Sequence, residues 1–86
     1  MTQKTLSKSL QKINTVYVLV FKTNIRFKKD VKSIAPVLDA QHPIIKWNVD
    51  RSDIDHILRI ESFDNNINHI ISLINDAGYD CAELND

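Results

Sequence analysis

Apolar positions along the 86-residue chain recur with two periods, and each change of period marks a change of element. Val16 to Phe21, VYVLVF, is β-branched and aromatic on both alternating faces, as a central strand requires. One face should meet helices. The other should be covered by the N-terminal arm or another subunit, or stay open. Thr23 and Asn24 are expected to break the strand and cap the next element. From about Arg26 to Ala40 the spacing becomes helical, with Val31, Ile34, Val37 and Leu38 as the buried stripe. Pro36 removes one backbone hydrogen bond there and should kink the helix or split off its last turn.

Ile44 to Asp50, IIKWNVD, alternates again: Ile45, Trp47 and Val49 on one face, Lys46 and Asn48 on the other. Arg51 to Asp55 is a polar turn. Ile57 to Glu61 is the next strand, with Leu58 and Ile60 inward, so the pair forms an antiparallel hairpin. Asp64 is expected to cap a second helix, in which Ile67, Ile70, Ile71 and Ile74 fall at i, i+3, i+4, i+7. Gly78 follows at a left-handed stop, and Tyr79 to Leu84 is a short last strand. The order β-α-β-β-α-β predicts an α+β, ferredoxin-like sandwich: two helices on one face of a four-stranded antiparallel sheet.

Residues 1–15 are extra to that pattern. Leu6, Leu10 and Ile13 make one stripe of a short helix that Thr5 would cap, with Lys4, Lys8 and Lys12 on another face. So short a helix needs a surface to lie on, and the alternative is a disordered tail. The arm is acid-poor like an organelle-targeting peptide, but it has no Arg. The expected division is therefore an arm over 1–15 and a ferredoxin-like domain over 16–86.

Size and composition narrow the picture. One domain fits this length. With 43% hydrophobic residues, one Gly and two Pro, the chain should fold. No apolar run spans a bilayer and no secretory signal pattern is present, so no membrane partner is expected. A single cysteine excludes an internal disulfide and fits a cytoplasmic location. The zero net charge hides an asymmetry: residues 1–46 carry nine Lys/Arg against two acids, and residues 47–86 two Arg against nine acids. The halves either neutralise each other on folding or present a basic and an acidic face that steer partners.

The residues NIRFKKDVKSI (24–34) and AGYDCAEL (77–84) resemble the heavy-metal-associated domain of small copper chaperones and metal-pumping ATPases. The family pattern is a strand, then GMTCxxC opening the first helix, then VxxI within it. Val31 and Ile34 match VxxI, and Ile25 falls where the family has a buried Met. Lys22 falls where the pattern has an apolar strand residue. The resemblance implies the ferredoxin-like fold over about Val16 to Leu84. It also implies a thiolate pair for a soft ion such as Cu(I), but the matching positions here are Phe27 and Asp30. Phe27 cannot ligate and Asp30 offers a hard oxygen, so metal transfer is not expected to carry over.

Other ligands are sparse. Cys81, His42, His56 and His69 show no CxxC or HxxxH spacing, and no metal site or cofactor is expected. Asp50, Asp53 and Asp55 lack the glycine and glutamate of a calcium loop. No nucleophile triad, Gly-rich phosphate loop or poised carboxylate pair points to an enzyme. Positive charge replaces the metal motif: Lys22, Arg26, Lys28, Lys29 and Lys32 crowd the strand–helix junction. Cations at a helix N-terminus oppose its dipole and invite an anion or an acidic protein surface. In the family resembled, basic surface near the loop docks acidic partners. Nucleic acid is disfavoured, because only Tyr17 or Phe21 offers a stacking ring and the overall charge is neutral. The expected role is protein binding or self-association through this basic junction, with a homodimer as one form. The alternatives are metal handling by Cys81 and histidines, within one chain or across a dimer, and a small-ligand sensor on the analogy of the fold.

Overall fold

The computed structural model of the chain describes residues 15–84. The elements run β1 (Tyr17–Thr23), α1 (Lys28–Asp39), β2 (Ile44–Asp50), β3 (Ile57–Ser62), α2 (Ile67–Asp76) and β4 (Cys81–Glu83). The four strands form one antiparallel sheet in the order β2-β3-β1-β4, with both helices packed on its inner face. This is the βαββαβ sandwich expected. Except for Thr15, the proposed arm lies outside the described residues.

The core follows from alternation in the strands and helical spacing above them. Leu19, Phe21 and Thr23 of β1 point inward beside Leu58 and Ile60 of β3. Ile34 and Leu38 of α1 and Ile70 and Ile74 of α2 close over them, and Ile25 plugs the end from the β1–α1 connection. Full burial of side chains of this size is worth roughly 1.5–3 kcal/mol each. Ile67, Ile71 and Val31 pack at the margin, and Val37 is only half buried.

Several local expectations are corrected. Ile45 does not share the inner face with Trp47 and Val49: a bulge between Ile44 and Lys46 breaks the period, so Ile44 turns inward and Ile45 is 45% exposed. Trp47 instead ties β2 to the helix layer, donating its Nε1–H to Asp39 Oδ1 (2.8 Å). Thr23 does not end β1 early; it is the buried last residue of the strand. The cap of α2 is Asn66, whose Oδ1 accepts from His69 N (3.2 Å), while Asp64 acts one step earlier by accepting from Asn66 N (2.6 Å). Helix α1 runs through Pro36 to Asp39 without splitting. Pro36 itself is exposed, so its missing donor sits on the wet side of the helix. Gly78 has φ 100°, the left-handed stop expected after α2.

The outer sheet face is open among the described residues. Val18 and Val20 alternate there with Lys22, beside Arg59 and Glu61 of β3 and Lys46 and Asn48 of β2. Val18 is 53% exposed, and Lys46 pairs loosely with Glu61 at 3.6 Å. Neither aromatic residue of β1 is on this face. Phe21 is fully buried under the helices, and Tyr17 shares its parity at the strand start.

Candidate functional site

The end of β1 is tied on three sides before α1 starts. Thr23 N donates to Asp55 O (3.0 Å) and Thr23 Oγ1 to His56 O (2.6 Å), which fixes the strand to the β2–β3 loop. Ile25 N donates back to Thr23 Oγ1 (3.1 Å), turning the chain so that Ile25 drops into the core. Asn24 clamps the other flank: its Nδ2 donates to Asp80 Oδ2 (3.2 Å) and its Oδ1 accepts from Asp80 N (2.9 Å). The backbone of residues 24–27 is thereby preset, leaving Phe27 as the residue before the first helical turn.

No side chain at Phe27 can cap that turn, and Asp30 does the work from three residues further on. Its Oδ2 accepts from Phe27 N (2.9 Å) and Arg26 N (3.3 Å), and its Oδ1 accepts from the Tyr79 hydroxyl (3.0 Å). This is the returning half of a capping box, with a carboxylate also favoured by the helix dipole. The Phe27 hydrogen bond, followed by those from Tyr79 and Arg26 and the nearby Lys29 charge, holds the Asp30 carboxyl below its ordinary value of 3.8 despite some opposing desolvation. A carboxyl depressed by folding stabilises the fold above its unfolded value, and that contribution is lost as pH falls through the folded one. Asp30→Ala should therefore lower the melting temperature at neutral pH and leave a smaller difference from the native chain below about pH 4. Thermal melts by circular dichroism across pH 3–7 check this; an equal difference at both ends would contradict the capping role.

The five basic residues do not form one patch. Arg26, Lys28, Lys29 and Lys32 are exposed around the start of α1, with Lys29 Nζ 5.9 Å from the centre of the Phe27 ring. Lys22 instead leaves β1 on the outer sheet face, 3.8 Å from Asp55 Oδ1; both side chains are well exposed, so the pair is weak. Phe27 is 58% exposed among the four helix-start cations. In the sequence Asp30 figures only as a metal position and Asp50, Asp53 and Asp55 only as a calcium loop; the capping role of Asp30 and its Tyr79 contact are new. Asp at the third helical position was a usable cap signal; the Tyr79 contact, 49 residues away in sequence, had none.

The remaining candidates stand apart. Cys81 of β4 faces Thr23 from one side while His56 meets it from the other, so a strand separates them, roughly 10 Å of backbone. Burial pushes the Cys81 thiol up to about 11, so it is protonated at neutral pH and a poor ligand. His69 Nε2 lies 3.1 Å from Gln41 Oε1, at the opposite end of the sandwich from the junction, beside a cavity of about 100 Å³ lined by Gln41, Pro43, Ile44, Ser62 and Ile70. His42 is exposed. Among the described residues no three His, Cys, Asp or Glu side chains converge. The Asp50 and Asp53 carboxylates accept from Ser52 N (3.1 Å) and Asp55 N (2.8 Å), turn bonds within their own loop.

No protein-family model matches the sequence, and no curated protein matches it. Solved structures do. The apo form of the HMA domain of the copper chaperone for superoxide dismutase superposes with a TM-score of 0.68 at 13% identity, covering 83% of this chain and 69% of that one. The CsoZ metallochaperone superposes with a TM-score of 0.66 at 18% identity, covering 79% of this chain and 99% of that one. The fold is that of a heavy-metal-associated domain.

Whether the metal site of such domains fits these residues is decided at Phe27 and Asp30. Phe27 has no donor atom. Asp30 has oxygens, but three hydrogen-bond donors hold them, and a carboxylate is a poor ligand for a soft ion. A thiolate-bound soft metal does not fit these residues. The junction has the chemistry of a capped helix start.

Proposed function

We propose that this heavy-metal-associated domain is a binding module without catalytic chemistry, engaging an acidic protein surface or another copy of itself through the strand–helix junction. The observation that carries the reading is the junction itself. Asp30 is committed to backbone and Tyr79 hydrogen bonds, while Phe27 stands 58% exposed among Arg26, Lys28 and Lys29. An exposed aromatic residue with cations on both sides of it in the chain, Lys29 Nζ 5.9 Å from its ring, on a backbone preset by Thr23 and Asn24, is the composition of a protein-docking anchor. The metallochaperone likeness adds support, since cargo transfer requires such proteins to dock. An enzyme reading finds no support: Cys81 is protonated, His69 pairs with Gln41, His56 with the backbone of Ile54, and His42 stands exposed. Among the described residues the outer sheet face offers no aromatic platform for bases, which speaks against nucleic acid.

The test is site-specific photocrosslinking from a benzoylphenylalanine placed at Phe27, in cells expressing the full chain, with and without Lys28→Glu and Lys29→Glu. Reversal of two rim charges is expected to weaken capture about tenfold and to mimic the effect of added salt. No crosslinked species, or one indifferent to both substitutions, would count against the junction as a docking site.

A further inference from the structure

The β2–β3 loop reads as a polar turn, yet its apex carries Ile54, 88% exposed and the most exposed large apolar side chain among the described residues. The loop that presents it is stiffly held. Asp53 Oδ1 accepts from Asp55 N (2.8 Å), His56 N donates to Asp53 O (3.0 Å), and Asp55 O accepts from Thr23 N (3.0 Å). His56 sits at φ 47°, a left-handed conformation that only a few per cent of non-glycine residues adopt. The hydrogen bonds to Thr23 account for the held backbone, but an aliphatic side chain kept facing water on so firm a loop adds nothing to the core and points to a contact elsewhere.

This loop adjoins the start of α1. Arg26 shares a shallow groove with Asn48, Asp50 and Arg51, and Lys22 reaches Asp55. One end of the molecule therefore has two halves. The basic half holds Phe27, Lys28 and Lys29; the acidic half holds Ile54, Asp53 and Asp55. A surface with opposite charges side by side, each half carrying one exposed apolar side chain, is complementary to itself under a two-fold rotation. We infer that a second copy of the chain docks end to end on this surface, with Lys28 and Lys29 of one protomer against Asp53 and Asp55 of its partner and with Phe27 and Ile54 at the apolar centre. This rests on the proposed binding role of the junction and names its partner.

Sedimentation equilibrium on the full chain at low and high salt tests it. The native chain should be in concentration-dependent monomer–dimer exchange, shifted to monomer by salt. Ile54→Ser, at a position whose exposure leaves folding untouched, should raise the dimer dissociation constant about tenfold or more. Two charge variants provide the decisive arm. Lys28→Glu with Lys29→Glu makes both halves acidic. Asp55→Lys with Asp53→Asn makes both basic or neutral, and the new amide oxygen at position 53 still accepts the loop hydrogen bond. Each variant alone should be monomeric, and a mixture should form a one-to-one heterodimer. A native chain monomeric at every concentration, an Ile54→Ser variant that dimerises unchanged, or a mixture that fails to pair would overturn the self-docking. If the native chain is monomeric but Phe27 still crosslinks to a different protein in a lysine-dependent way, the self-docking falls and the binding reading stands. If both assays are silent, both fall.

Discussion

Phe21→Ala should lower the unfolding free energy by about 3–5 kcal/mol, the usual cost of truncating a fully buried aromatic residue. Phe21 is 0% exposed and central in both senses: its strand pairs with β3 through Leu58 and with β4 through Glu83, and its ring lies under both helices. A cavity there cannot be filled by one neighbour moving, because neighbours on two strands and two helices are already fixed by their own burial. Net stabilities of small domains are about 5–15 kcal/mol, so the variant should lose most of its margin, with a melting temperature lower by roughly 15–30 °C. Val18→Ala, three residues earlier on the same strand but 53% exposed on the outer face, should change it by only a few degrees. Urea unfolding of the two variants side by side checks the assignment of faces; comparable losses would mean that the outer face is covered.

The second large effect is a gain. Phe27→Cys with Asp30→Cys should give the chain a site that binds one Cu(I) per molecule. The backbone there is already preset by the Thr23 and Asn24 clamps, neither of which the substitutions touch. Two thiols three residues apart at a helix start would sit near the positive end of the α1 dipole, which lowers their pKa and favours the thiolate that a soft ion takes. Losing the Asp30 cap should make the metal-free variant less stable than the native chain, and Cu(I) should restore part of that loss. Native mass spectrometry of the double variant, with and without Cu(I), reads both the stoichiometry and the change in charge states on unfolding. No adduct would show that the backbone at residues 27–30 cannot bring two thiolates around one ion.

The fold was legible because the patterns that specify it are long and redundant. The Ile67–Ile74 stripe, the VYVLVF strand and the Gly78 stop each point to one element and agree on one topology. Hidden from the sequence were decisions made by a few atoms. The bulge that turns Ile45 outward adds one residue to a two-residue period, and nothing in IIKWNVD marks where. Thr23 looked like a strand breaker because its hydroxyl can bond its own backbone; it does so at Ile25 N, and it also donates across to His56 O in the β2–β3 loop, which keeps Thr23 in the strand. The basic junction was read as one cluster because charge runs along a sequence ignore strand alternation, which sends Lys22 to the sheet face and leaves Arg26, Lys28 and Lys29 at the helix start. Ile54, a lone apolar residue inside a run of polar ones, was visible in the sequence. Its significance depends on the rigid loop beneath it, which only the tertiary hydrogen bonds reveal.

The central claim is that a chain with the fold of a heavy-metal-associated domain carries a capped helix start, and no soft-metal site, at its strand–helix junction. The most direct test is native mass spectrometry of the unmodified chain with micromolar Cu(I) and Zn(II) under reducing conditions. The account predicts the mass of the bare protein, with nothing retained above nonspecific background. One equivalent of metal bound to the native chain, and lost on Asp30→Ala or Cys81→Ser, would contradict it.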